Sequence, residues 1–233
     1  MKGKFIVFEG IDGSGKGTQT ELLVERLKKE KKEVVVDDYP RYETSFWGKH
    51  VGRLLTGEFG ELFSISPYLA VLPYMLDEAD GSQKTIKPAL ELGKIVVSNR
   101  YFTANVHQIA KRPKGDREIY ADWLWDAGYN QVGIVKPDLV LVLMVDPEIC
   151  RENIQRKTQR NYVGGKTMDQ AEANFNHQME TEKEYKKMAK KEPKIWILVD
   201  CCQDGKLLSK EEIHKIIWRK INKLNIIKAG ENI

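Results

Sequence analysis

Apolar and polar residues fall in blocks along this chain. Five short apolar runs stand out: Phe5 to Phe8, Val34 to Val36, Ile95 to Val97, Leu139 to Val145 and Ile195 to Val199. They are rich in Val and Ile and almost unbroken by polar residues, as strands covered on both faces should be. Longer stretches with helical spacing separate them. This β-then-α repetition predicts a parallel sheet with helices on both sides. The helix after the first run should begin near Lys16 and turn Leu22, Leu23 and Leu27 inward. The last helix opens with a capping-box pair, Ser209 and Glu212, and its Ile213, Ile216, Ile217, Ile221 and Leu224 follow the 3.6-residue period. Residues after Ile227 should be frayed.

One segment fits no packed element. Arg156 to Lys166 reads RKTQRNYVGGK, basic and Gly-containing. It is either an ordinary solvated loop or a mobile, positively charged one.

The chain has 233 residues, 41% of them apolar and 31% charged. That suits one α/β domain, residues 1–233, with a sizeable core and a solvated surface. A net charge of +4 is too small to argue for nucleic acid or a membrane as partner. Cys150, Cys201 and Cys202 match no metal-binding or disulfide spacing and read as reduced thiols. The N-terminus runs straight into a strand, with no signal-like segment, and no apolar stretch is long enough to span a bilayer. A cytoplasmic location is the default expectation.

The chemistry starts after the first strand. Gly10, Ile11, Asp12, Gly13, Ser14, Gly15 and Lys16 spell G-x-x-x-x-G-K between the strand FIVF and a helix, the context a phosphate-binding loop requires. The glycines let successive backbone N–H groups point at phosphate oxygens. The helix N-terminus adds partial positive charge. Lys16 supplies a cation where charge spreads during phosphoryl transfer. Gly17 stands where a Ser or Thr usually contacts magnesium, with Thr18 next. Magnesium would then be held mainly by water and nucleotide oxygens, so no protein residue is assigned to it. The string GKGTQ, Gly15 to Gln19, looks like the adenylate kinase form of this loop. No NKxD-type guanine motif is present, which argues against a GTPase.

Further motifs narrow the reading. FIVFEGIDGSGKGTQ (Phe5 to Gln19), YPRYETSFWGKHVGRLLTGEFG (Tyr39 to Gly60), SPYLAVLPYMLDEAD (Ser66 to Asp80), SNRYFTANVHQ (Ser98 to Gln108) and DWLWDAGYNQVGIVKPDLVLVLMVDPE (Asp122 to Glu148) together resemble thymidylate kinases, over nearly the whole chain. The resemblance implies a three-layer P-loop kinase fold, with a five-stranded parallel sheet and a lid at about residues 156–166. It implies ATP as phosphoryl donor, Mg2+, dTMP as acceptor and a homodimer.

It also implies roles for single residues. Arg41 and Arg100 would hold the acceptor phosphate, which suits guanidinium forks. Taken alone, either arginine could form a surface salt bridge. Tyr74 would stack on the pyrimidine, though a helical aromatic could equally be core. Asn105 would read the base edge with Gln108 assisting, and Asp12 would lie near the acceptor sugar. Gly13 leaves no arginine in the phosphate loop, so catalytic guanidinium would come from Arg156 and Arg160 in the lid.

Two positions depart from the family. Asn99 precedes Arg100 where Asp is usual, which removes a charge from the magnesium side. Glu78 stands where an arginine usually donates to O4 of the base. A glutamate that accepts would favour an amino-bearing base. The expectation is transfer of the γ-phosphoryl of ATP to dTMP. Kinases of dUMP, dCMP or a modified pyrimidine, and a non-catalytic nucleotide-binding module, remain alternatives.

Overall fold

The computed structural model describes residues 3–155, 171 and 174–227. The expected lid with Arg156 and Arg160, and the tail beyond Ile227, lie outside these residues. Each apolar run becomes a strand: β1 Lys4–Glu9, β2 Val34–Asp38, β3 Ile95–Asn99, β4 Leu139–Met144 and β5 Trp196–Asp200. They form one parallel sheet in the order β2-β3-β1-β4-β5.

The unbroken apolar runs have a direct cause. Side chains alternate across a strand, and both faces of this sheet are covered. Phe5 and Val7 of β1 enter one core, with Val96, Val140, Val142 and Tyr185. Ile6 and Phe8 enter the other, with Val97, Leu141, Leu23, Leu27, Ile213 and Ile217. That second core belongs to α1, Lys16–Lys29, and to the helices Pro147–Gln155 and Lys210–Lys223. In α1 the inward residues are Leu23, Val24 and Leu27. Leu22, expected inside, is only half-buried, because it sits a quarter-turn away from that stripe.

The connections carry α2 Phe46–Leu55, α3 Pro67–Ala70, α4 Leu72–Gly81, α5 Lys87–Glu91, α6 Val106–Ala110, α7 Arg117–Trp125, α8 Pro147–Gln155, α9 Phe175–Lys191 and α10 Lys210–Lys223. The expected capping box at Ser209 forms: its hydroxyl accepts from Glu212 N, and Ser209 N donates to the Glu212 carboxylate. A small antiparallel hairpin, β6 Cys202–Gln203 and β7 Lys206–Leu207, was not expected. The three cysteines are free thiols, Cys150 and Cys201 being buried.

The sheet order decides where ligands can go. The chain builds β2 and β3 on one side of β1, then β4 and β5 on the other. Loops leaving the carboxyl ends of β1 and its neighbours therefore diverge, and a crevice opens between them.

Candidate functional site

The loop after β1 curls as its glycines predict. Gly10, Gly13 and Gly15 have φ of 142°, 84° and 87°, in the left-handed region. Gly13 has a second constraint: a Cβ there would lie 2.1 Å from the Cys150 carbonyl oxygen. No side chain, and so no arginine, fits at that position. Lys16 folds back over the loop and donates to the carbonyls of Gly10 at 3.1 Å and Ile11 at 2.8 Å. Ser14 Oγ, on the wall of the crevice, is buried and has no hydrogen-bond partner among the described residues.

Arg100 follows β3 directly. Its φ of 62° is unusual for a residue with a side chain and turns the guanidinium toward the loop. There it pairs with Asp12, approaches Glu9 at 3.8 Å, and meets His107 Nε2 at 3.4 Å. Asp12 is held from a third element. Gln178 of α9 accepts from Asp12 N at 3.2 Å and donates to its carboxylate at 3.0 Å. Burial alone would raise the Asp12 carboxyl, but Arg100 and Lys16 outweigh it and keep the group ionised, well below the usual carboxylate range. Burial is also the main cause that holds His107 well below the ordinary imidazole range and His177 at about 4, so both rings are neutral near pH 7.

Glu9 organises the segment after β3 from beneath. It is fully buried and accepts from Tyr101 N at 3.2 Å, Thr103 Oγ1 at 2.7 Å and Tyr185 OH at 2.9 Å.

A cavity of about 920 Å³ joins these parts. Its walls include the phosphate loop from Asp12 to Thr18, Arg100, and Tyr74, Glu78, Asn105 and Gln108. Asn105 Nδ2 donates to both Glu78 carboxyl oxygens, at 3.3 and 3.0 Å. Burial, and then Asp77 beside it, pushes the Glu78 carboxyl well above the ordinary range. Tyr74 is half-buried, packing against the α2 cluster with part of its ring toward the cavity.

Most of the expected residues thus meet in one place. Arg41 does not join them. Its backbone and guanidinium are bound by Asp77 at 2.9 and 3.0 Å, and its Nη2 donates to Asp80 at 2.9 Å, so the side chain is not among the cavity's lining. Two carboxylates from α4 hold the cation.

The sequence reading missed Asp38, His107, His177 and Gln178, all but Gln178 on the cavity wall and Gln178 bonded to Asp12. Asp38 carried a signal, being the last residue of a strand at the ligand-binding edge. The histidines and Gln178 carried none, since only packing of α9 across α6 brings them to the loop.

Comparisons with known proteins bear on the family and the fold. The family described as thymidylate kinase matches residues 8–213. A protein of Thermococcus onnurineus named "Probable thymidylate kinase" is 36% identical over 222 residues, covering 91% of this chain and 94% of its own. A thymidylate kinase of Bifidobacterium longum subsp. infantis is 30% identical over 204 residues, covering 87% of this chain and 81% of its own. In fold, the chain is similar to thymidylate kinase from Candida albicans, with a TM-score of 0.73 at 24% identity, over 97% of this chain and 93% of that one. The phosphate loop, the Arg100 turn and a family match spanning most of the sequence lead to one assignment: this chain belongs to the thymidylate kinase family, enzymes of the nucleoside monophosphate kinase class.

Proposed function

We propose that this chain transfers the γ-phosphoryl group of ATP to dTMP, giving dTDP and ADP. The observation that carries the reading is the single cavity in which phosphate loop, Arg100 and the Tyr74–Asn105 recess meet. ATP phosphates lie on the loop amides and at the α1 N-terminus, with Lys16 swinging from its two carbonyls onto the β/γ oxygens. The acceptor base enters the recess beside Tyr74. Its phosphate faces Arg100, whose direction is set by Asp12 and Glu9. A phosphate oxygen of dTMP attacks the γ-phosphorus, and the bond to the oxygen bridging to the β-phosphate breaks. No covalent enzyme intermediate is needed, because positioning and charge do the chemistry. Arg41 joins the acceptor phosphate only if it leaves Asp77 and Asp80.

Magnesium belongs to the same proposal. Among the described residues no three His, Cys, Asp or Glu side chains gather as a metal cage. Magnesium seldom needs one, since it keeps several waters and uses nucleotide oxygens. Asn99 Oδ1 is buried and has no hydrogen-bond partner among the described residues, and Asn99 Nδ2 donates to Asp38 at 2.8 Å. An amide oxygen and a carboxylate thus stand together at the cavity wall, an oxygen set that suits the ion's water shell. The charge that Asn99 lacks comes from Asp38 on the neighbouring strand. When bound, the ion neutralises charge on the β- and γ-phosphates.

Arg156 and Arg160 are the proposed source of catalytic guanidinium. The collision that bars a side chain at Gly13 supports this. The proposal includes a homodimer and a cytoplasmic location, which the free thiols suit.

The deciding experiment is ADP release from ATP and Mg2+ against dTMP, dUMP, dCMP, UMP and AMP. Preference for dTMP is expected. ATP binding with silence across the panel would replace the reading with a non-catalytic module. In the same assay, alanine at both Arg156 and Arg160 should lower kcat far more than it raises the dTMP KM.

A further inference from the structure

α9 carries Gln178, Thr181 and Tyr185 at spacings of three and four, so their side chains leave one face of the helix. Each holds a different residue around Arg100. Gln178 donates to the Asp12 carboxylate at 3.0 Å, and Tyr185 OH donates to Glu9 at 2.9 Å. Thr181 Oγ1 meets His107 Nδ1 at 3.4 Å. Arg100 touches the far side of this arrangement: it pairs with Asp12, approaches Glu9, and meets His107 Nε2. Two of the three ties end in carboxylates. The third ends in a ring whose hydrogen can be placed.

Thr181 has one hydroxyl hydrogen and gives it to the carbonyl of His177 at 2.8 Å. Toward His107 it can then only accept, so Nδ1 carries the ring hydrogen. The other end agrees. A guanidinium only donates, so Arg100 Nη1, 3.4 Å from Nε2, needs a lone pair there. Both neighbours demand one tautomer, Nδ1–H with a bare Nε2. A second proton, on Nε2, would point at the Arg100 donor. Burial opposes that proton first, then Arg100, with His177 and Lys16 adding to them, while Asp12 favours it. Tyr185 lies edge-on to the ring, and burial keeps its phenol protonated.

Resting on the dTMP kinase reading, we propose that His107, locked by Thr181 with its hydrogen on Nδ1, is a positioning residue that aims the Arg100 guanidinium at the acceptor phosphate. A planar fork needs two anchors to fix its roll. Asp12 holds Nη2 and His107 holds Nη1, from different elements. Glu9 stands farther off, at 3.8 Å, with its oxygens engaged by Tyr101 N, Thr103 and Tyr185. The anchors differ in charge, and the difference has a use. A second close carboxylate would cancel charge that the phosphate needs. A neutral ring takes the hydrogen bond and leaves the cation its charge.

Two measurements on the full chain test this. Nitrogen NMR of wild type with isotope-labelled histidines, near about pH 7, reads which ring nitrogen is protonated. The signals missing from His107→Gln belong to His107, and they should show Nδ1–H with a bare Nε2. Steady-state rates with ATP and Mg2+ then compare wild type, His107→Leu, His107→Gln and Thr181→Val, with melting curves to check folding. His107→Leu loses the acceptor and should raise the KM for dTMP roughly tenfold, against less than about twofold for ATP. His107→Gln offers an amide oxygen at similar reach and should recover most of that loss. Thr181→Val frees the tautomer and should raise the dTMP KM by about threefold or more. A wild-type ring protonated on Nε2 would overturn the proposal. So would a folded His107→Leu with the wild-type dTMP KM, or a folded His107→Gln as weak as His107→Leu. Should His107→Leu not fold, the tautomer and the Thr181→Val rates decide, and an unchanged dTMP KM in that variant overturns the relay. If wild type phosphorylates dTMP and any of these results appears, only the role of His107 is wrong. If wild type neither binds nor phosphorylates dTMP, the kinase reading falls first, and the aim of Arg100 with it.

Discussion

Gly17 sits in the first turn of α1, and nothing lies within 4 Å of a Cβ built on it. The missing hydroxyl is therefore not forced by space, as the missing side chain at Gly13 is. A serine fits and restores the oxygen that phosphate loops usually offer to magnesium. Gly17→Ser should lower the Mg2+ concentration for half-maximal rate. It should also stabilise the helix by about 0.5 kcal/mol, since glycine is the poorer helix former. Magnesium titration of initial rates, with melting curves, checks both. An unchanged magnesium requirement would show that the Asp38–Asn99 pair and the nucleotide already hold the ion fully. At this scale, what the sequence could reveal was set by distance along the chain. Lys16 and Arg100 sit within motifs a few residues long, so their place at the crevice was legible. The capture of Arg41 by Asp77, 36 residues away, and the hold of Gln178 on Asp12, 166 residues away, depend on packing that no local pattern encodes.

Among the elements, the strands were legible because a buried parallel strand must be apolar on both faces. β1 meets that demand with Phe5, Ile6, Val7 and Phe8, all fully buried. The hairpin of β6 and β7 was not legible, because it has two residues per strand and one pair of ladder positions is polar, Gln203 with Lys206. Only Asp204–Gly205 hinted at its turn. Helix ends were readable where side chains close the backbone. Ser209 caps α10 with its hydroxyl at 3.2 Å from Glu212 N, in an exposed setting with no core packing to confuse the result. Ser209→Ala should cost about 1 kcal/mol, and Tm should fall by roughly 2–4 °C for a chain of this size. Thermal melts would measure it. An unchanged Tm would mean that packing of Ile213, Ile217 and Ile221 alone fixes the start of α10.

The whole molecule poses a question that its single chain does not answer by itself. Leu69, Leu72 and Leu76 are 63%, 42% and 38% exposed. They follow at spacings of three and four through α3 and α4, so they form a stripe on one face, while Val71 and Met75 on the other face enter the core. A leucine stripe in water is costly, and a second copy of the chain would cover it. This supports the homodimer that the family resemblance implied. The 26.8 kDa chain should then elute at twice that mass in light scattering at micromolar concentration. Replacing Leu72 and Leu76 with Glu should give monomers. The consequence reaches the site, because α4 carries Tyr74 and Glu78 into the acceptor recess. In the proposed dimer the partner would steady that helix and a monomer would lose it, while the phosphate loop on β1 and α1 would stay as it was. The double variant should therefore raise the KM for dTMP more than the KM for ATP. A wild-type monomer at high concentration would remove the dimer. A monomeric variant with unchanged dTMP KM would show that the core face of α4 alone holds the recess in place.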